Sequence, residues 1–122
     1  MGLFRKKEPV QVVRHEYDSE YEFNLAGAHL KSRQKIVVGL QPGEPLELVR
    51  EPENRYDKHA IAVYARGQQV GYIPRDRARM FCDFIGGGNV PEAVLTGLEW
   101  YENDDGDQVC GARIFVGFNR PN

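Results

Sequence analysis

The chain has 122 residues, 41% of them hydrophobic and 28% charged, with a formal net charge of −2. That length supports one domain able to bury roughly two-thirds of its unfolded surface, and the composition is ordinary for a soluble globular protein. No apolar run approaches the ~20 residues of a membrane span; the two cysteines, Cys82 and Cys110, are too few for a four-cysteine zinc site and point to reduced thiols in a cytoplasmic protein.

In chain order, Met1 to Lys7 carries charge with no apolar stretch behind it, unlike a secretory signal. Lys6 stands where a myristoylation site needs Ser or Thr. Residues 1–14 read as a basic arm in which Val10 to Val13 suits a short strand, residues 15–119 as a single domain, and the tail from Asn119 to Asn122 as frayed. Arg14 to Glu22 is too acidic to predict as structured, but Tyr21, Phe23 and Leu25 alternate with polar or small residues in the period of a half-buried strand. Lys31 to Leu40 places Ile36, Val37 and Leu40 at helical spacing, with Ser32 as candidate N-cap. After the Pro42-Gly43 turn, strands are predicted at about 45–50, 60–64 and 69–73, the last two joined through Arg66-Gly67. Pro74 introduces a helix from Arg75, with Ala78, Met80 or Phe81, Phe84 and Ile85 toward the core and Gly86 to Gly88 ending it. Pro91 to Tyr101 and Gln108 to Phe118 then form a long hairpin around Asn103-Asp104-Asp105-Gly106-Asp107. The fold class is α+β and mainly β: a small curved antiparallel sheet or OB-like barrel of roughly five to seven short strands with one or two short helices.

Charge is unevenly spread. His29 to Arg79 holds ten Lys or Arg against six Asp or Glu, whereas Met80 to Ala112 holds seven acids and no base. Such segregation gives one electropositive and one electronegative region if the fold keeps the segments apart.

The most informative stretch is Leu46 to Ala78. Between its first two strands lies Arg50-Glu51-Pro52-Glu53-Asn54-Arg55-Tyr56-Asp57, dense in charged and hydrogen-bonding groups around one aromatic. A polar loop anchored by apolar strands is either a binding surface or a solvated hairpin connection shaped by Asn54 and Asp57 as turn formers. The run Arg50-Glu51-Pro52, Asn54, Tyr56-Asp57, Ala60-Ile61, Val63 and Val70-Gly71-Tyr72-Ile73, with Gly43, Leu46, Leu48, Ala78 and Gly27, resembles the HIRAN domain family in its stand-alone bacterial or phage form.

Catalytic chemistry has little to build on. Ser19, Ser32 and Thr96 are the only hydroxyl candidates besides tyrosine, and neither serine has a glycine-flanked elbow. Cys82 beside Phe81 and Phe84, and Cys110 on a strand, read as packed core thiols. Asp57, His59 and His29 lack ligand-like spacing for a metal, and Asp104, Asp105 and Asp107 lack the closing acid of a calcium loop. No cofactor and no enzymatic activity are therefore expected.

Nucleic-acid binding has better material, since single strands need cations for phosphates and aromatic faces for bases. Arg50, Arg55, Lys58 and Arg75 supply the first and Tyr56 and Tyr72 the second; Tyr64 is assigned to the core. Arg75, Arg77 and Arg79 open one helix, so at most two of them share a face. The resemblance implies an OB-like barrel and a ligand, the free 3′ end of single-stranded DNA. It implies that Asp57 accepts a hydrogen bond from the terminal hydroxyl, Tyr56 stacks on a base, Asn54 shapes the loop, Arg75 meets a phosphate, and Tyr72 stands where eukaryotic members carry a histidine. Those members have an arginine and an aromatic after the glycine matching Gly27, where this chain has Ala28-His29-Leu30, leaving His29 as the candidate substitute. The expected partner is single-stranded DNA or a DNA 3′ end, in repair or replication. The alternative is a protein-interaction module docking through loop 50–58 or the 91–118 hairpin.

Overall fold

The computed structural model describes residues 17–121, so the arm expected at residues 1–14 and its Val10 to Val13 strand lie outside the described residues. The elements are β1 (Ser19–Asn24), α1 (Lys31–Val37), β2 (Pro45–Arg50), β3 (Ile61–Ala65), β4 (Gln68–Tyr72), α2 (Arg75–Gly86), β5 (Val90–Glu102) and β6 (Gln108–Asn119). The strands form one antiparallel sheet in the order β1-β6-β5-β2-β3-β4. Just beyond β1, Ala26 bridges to Tyr72 of β4, each N–H donating to the other's carbonyl at 2.9 and 2.8 Å. The two outer strands thus meet at one point and the sheet curls toward a barrel, the α+β, mainly β, OB-like arrangement expected.

Bulges provide the bend. Thr96 is skipped in the register between Leu95 and Gly97, and its Oγ1 donates to the Arg113 carbonyl at 3.0 Å. Val70 is likewise skipped opposite Val63/Tyr64. An extra residue on one strand of a pair bends it and raises its twist. The β3–β4 turn needs a left-handed backbone at both of its residues, and Arg66 and Gly67 adopt φ of 54° and 78°.

The core gathers on α2. Phe81 is fully buried and its ring centroid lies 5.2, 5.8 and 4.9 Å from those of Tyr21, Phe23 and Phe118. Ala78 and Cys82 share that buried stripe, so the choice between Met80 and Phe81 falls to Phe81; Met80, Phe84 and Ile85 pack at its margin. Of three side chains that the strand and helix readings would bury, Val70 and Ile73 are buried, whereas Phe84 is only half-buried because Phe81 takes the central place on α2.

Several expectations need correction. Of the segment Arg14 to Glu22, expected to lack structure, residues 14–16 lie outside the described residues, and β1 begins at Ser19, turning Tyr21 and Phe23 toward the core while Glu20 and Glu22 stay exposed. Ser32 is not the N-cap of α1, because Leu30 occupies that position without a side-chain hydrogen bond. Tyr64 is only half-buried, out of phase with Ile61 and Val63. Asn119 still belongs to β6, and the Arg120 N–H donates to Asp18 Oδ2 at 2.6 Å.

One side chain of α1 completes the sheet. Gln34 Nε2 donates to the carbonyls of Ala28 and Cys110 at 2.7 and 2.8 Å, and its Oε1 accepts from the Cys110 N–H at 2.8 Å. The amide serves as the peptide that the β6 edge lacks, satisfying backbone groups at a fully buried residue. Among the described residues no helix is long and apolar enough to cross a membrane.

Candidate nucleic-acid interface

The loop between β2 and β3 is organised from within. Asn54 Oδ1 accepts from the N–H groups of Tyr56 and Asp57 at 2.8 and 3.0 Å, the local turn bond that asparagine makes readily. Its Nδ2 donates to Glu51 Oε1 at 2.9 Å, and the same oxygen accepts from the Tyr72 hydroxyl at 2.9 Å. Glu51 therefore ties the loop to β4. Backbone bonds from Glu51 N–H to Ala60 and from Ala60 N–H to Asp57 close the base.

Asp57 is fixed on both sides. Its Oδ1 accepts from the His59 N–H at 2.9 Å and lies 3.8 Å from His59 Nδ1; its Oδ2 lies 3.4 Å from Arg75 Nε. Arg75 also donates to the Tyr56 carbonyl at 3.3 Å. Beneath the loop, the Cys82 thiol donates to the His59 carbonyl at 3.3 Å, joining it to α2. Tyr56 is left 83% exposed, with the Arg55 guanidinium 6.0 Å from its ring centroid. So exposed an aromatic ring is available to a ligand.

Between this loop, β4 and the start of α2 lies an open cleft of about 340 Å³ lined by Ala26, Asn54, Tyr56, Asp57, Ala60, Tyr72, Ile73 and Arg75. Five of the nine residues expected from sequence meet here: Asn54, Tyr56, Asp57, Tyr72 and Arg75. Arg50 lines a neighbouring depression with Glu51 to Asn54. Arg55 and Lys58 are exposed on the same loop without lining the cleft. His29 lies apart: it lines a cavity of about 210 Å³ with Asn24, Glu99 and Tyr101, and a groove between α1 and the β5–β6 hairpin. It therefore does not replace the first-strand aromatic within this cleft.

The other arginines of α2 diverge as helical spacing requires. Arg77 turns onto the rings of Phe23 and Tyr21, at 5.0 and 5.8 Å from their centroids. The expected separation of basic and acidic regions is incomplete, since Lys31 and Lys35 line one groove with Asp105 and Asp107. Sequence reading missed Glu51 as the link between loop and β4, Ala26 as a wall, and Arg33, whose guanidinium lies 5.4 Å from the Tyr72 ring centroid.

A curled β-sheet carrying an aromatic-rimmed cleft between a preorganised loop and a basic helix start has the build of a small binding module. The chain belongs to the HIRAN domain family, which its residues 18–113 match. The crystal structure of the HIRAN domain of human HLTF is similar to it, with a TM-score of 0.55 at 21% identity over 80% of this chain and 75% of that one. So is a protein from Lactobacillus plantarum, with a TM-score of 0.55 at 17% identity over 81% and 99% of the two chains. No curated protein matches the chain. HIRAN domains are DNA-binding modules, which supports nucleic-acid binding as the general activity.

Proposed function

We propose that the cleft captures the free 3′ end of single-stranded DNA, without catalysing a reaction on it, as part of DNA repair or replication. The observation that carries this reading is the placement of Asp57, a fixed carboxylate in the cleft wall between an exposed aromatic and an arginine. A carboxylate accepts from a terminal hydroxyl but repels the phosphate that would continue the strand. Arg75, beside it, is suited to the phosphate joining the last two nucleotides, and Tyr56 offers a face on which a base stacks. Pairing with Arg75 lowers the repulsion an acid would otherwise present to a polyanion.

Competition between oligonucleotides ending in a 3′-hydroxyl and a 3′-phosphate tests the reading. The unmodified chain should prefer the hydroxyl, and folded Asp57→Ala protein should bind both alike. Equal binding by the unmodified chain removes end recognition. A protein partner docked on the β5–β6 hairpin is the second reading, favoured by the exposure of Trp100 and Tyr101, at 56% and 46%. Amide shifts with a short oligonucleotide should cluster at residues 54–58 and 72–75 under the first reading and be absent at low salt under the second.

A further inference from the structure

Arg33 belongs to no wall of the cleft, yet the fold delivers its guanidinium to the edge of it. Its Cζ lies 5.4 Å from the centroid of the Tyr72 ring, a cation–π distance. Tyr72 is a cleft wall whose hydroxyl is held by Glu51, so ring and guanidinium are fixed together. One terminal nitrogen, Nη1, donates to the Gly27 carbonyl at 2.9 Å. A Cβ at Gly27 would lie 2.6 Å from that nitrogen, and Gly27 has φ of 74°, so the glycine provides both the turn and the space the guanidinium occupies.

The surroundings leave an anion as the contact Arg33 can still make. Like Arg50, Arg55, Arg77 and Arg79 it pairs with no carboxylate among the described residues. Of these five it alone is half-buried against a ring of the cleft, since Arg50, Arg55 and Arg79 are exposed and Arg77 lies on Phe23 and Tyr21. A guanidinium carries five N–H donors, and the Gly27 carbonyl is its one hydrogen-bond acceptor among the described residues. Next to it the cleft's wall is low, because Ala26 presents only a methyl group and Gly27, just outside the cleft, has no side chain. On the other side stand Tyr56 and the charged loop.

We propose that Arg33 binds a backbone phosphate of the strand as it leaves the cleft across the Ala26-Gly27 step, with Tyr72 positioned between this contact and that of Arg75. This rests on the single-strand reading of the cleft and adds to it the direction in which the strand departs.

Binding of a six-nucleotide and a two-nucleotide thymidine oligomer, both with a free 3′-hydroxyl, tests it in the unmodified chain, Arg33→Met and Arg33→Lys. Arg33→Met should weaken the hexamer about tenfold at 50 mM salt, the value of one charge-assisted hydrogen-bonded contact. That deficit should shrink by a factor of about 2.6 between 50 and 200 mM, as the loss of one single-strand phosphate contact requires. Arg33→Lys should keep the salt dependence of the unmodified chain, and the dinucleotide, with one internal phosphate, should bind all three proteins alike. A hexamer deficit that ignores salt, or an equal loss for the dinucleotide, overturns the proposal, because Arg33 would then act only by supporting Tyr72. Should the unmodified chain bind neither oligomer, the reading of the cleft itself fails, and this contact fails with it.

Discussion

Two loops of this protein use the same device and reach different ends. In the β2–β3 loop, Asn54 Oδ1 accepts two backbone N–H groups; at the tip of the β5–β6 hairpin, Asn103 Oδ1 accepts those of Asp105 and Asp107, both at 2.9 Å. The hairpin tip stops there, and Asp104, Asp105 and Asp107 form no ion pair among the described residues. The β2–β3 loop continues outward through Glu51 to Tyr72, through Asp57 to Arg75 and through His59 to Cys82. A turn residue shapes either loop, but only anchorage to two other elements converts the shape into a site.

The largest expected effect tests the anchorage. Phe81 seats the helix that carries Arg75 and Cys82, so Phe81→Ala should cost about 3–5 kcal/mol in denaturant unfolding. Excising Asp104 and Asp105 from the hairpin tip should cost little and leave oligonucleotide binding unchanged. If the two changes are equally mild, α2 does not hold the loop.

The cleft loop was legible in sequence because its chemistry is local. Asparagine, tyrosine and aspartate within four positions declare a turn with an exposed ring, and the HIRAN-like run around them supplied the fold. Strands β2, β3 and β4 and the start of α2 were equally legible, from alternation and from Pro74. What stayed hidden depends on tertiary contacts. The links of Glu51 and Arg33 to Tyr72 exist only once the curl of the sheet brings these residues together. Gln34 looks like a solvent-facing helix residue until α1 lies along the β6 edge. Tyr64 was misplaced because it falls out of phase with Ile61, Val63 and Ala65, on the face of β3 where Ala62 is buried but the larger ring is only half-covered.

Stacking gives the next effect in size. Tyr56→Ala should weaken both hydroxyl- and phosphate-ended strands by about 1–3 kcal/mol, one lost stacking contact, while leaving thermal stability unchanged because the ring is already exposed. Trp100→Ala, near the other loop, should leave strand affinity unaltered. A comparable loss there would make exposure alone, rather than the anchored loop, the requirement for binding.

The paired asparagines give a finer test. Asn54→Ala removes two local bonds and the link to Glu51, and should cost about 1–2 kcal/mol of stability together with a clear loss of strand binding. Asn103→Ala removes the same two kinds of local bond and should lower stability by about 1 kcal/mol or less with binding intact. Equal binding losses would show that the resemblance between the loops is functional as well as geometric.

The smallest effect concerns a third connection, held by charge rather than by an asparagine. Arg66, at the end of the β3–β4 hairpin away from Tyr72, donates from Nε and Nη2 to Glu44 at 2.5 and 2.9 Å. The bond from Arg66, and then that from the Gln41 N–H, hold the Glu44 carboxyl below its ordinary range. A carboxyl depressed in the folded state stabilises the fold fully above its unfolded value and loses that contribution as pH falls through its folded value. Thermal unfolding of the unmodified chain and of Glu44→Gln should therefore differ near neutral pH and converge in acid. The difference should be small, because Arg66 is largely exposed and water screens the pair. Strand binding should not change, since neither residue lines the cleft. A binding loss in Glu44→Gln would mean that the β3–β4 hairpin transmits its position to Tyr72, and that the site is anchored at three places instead of two.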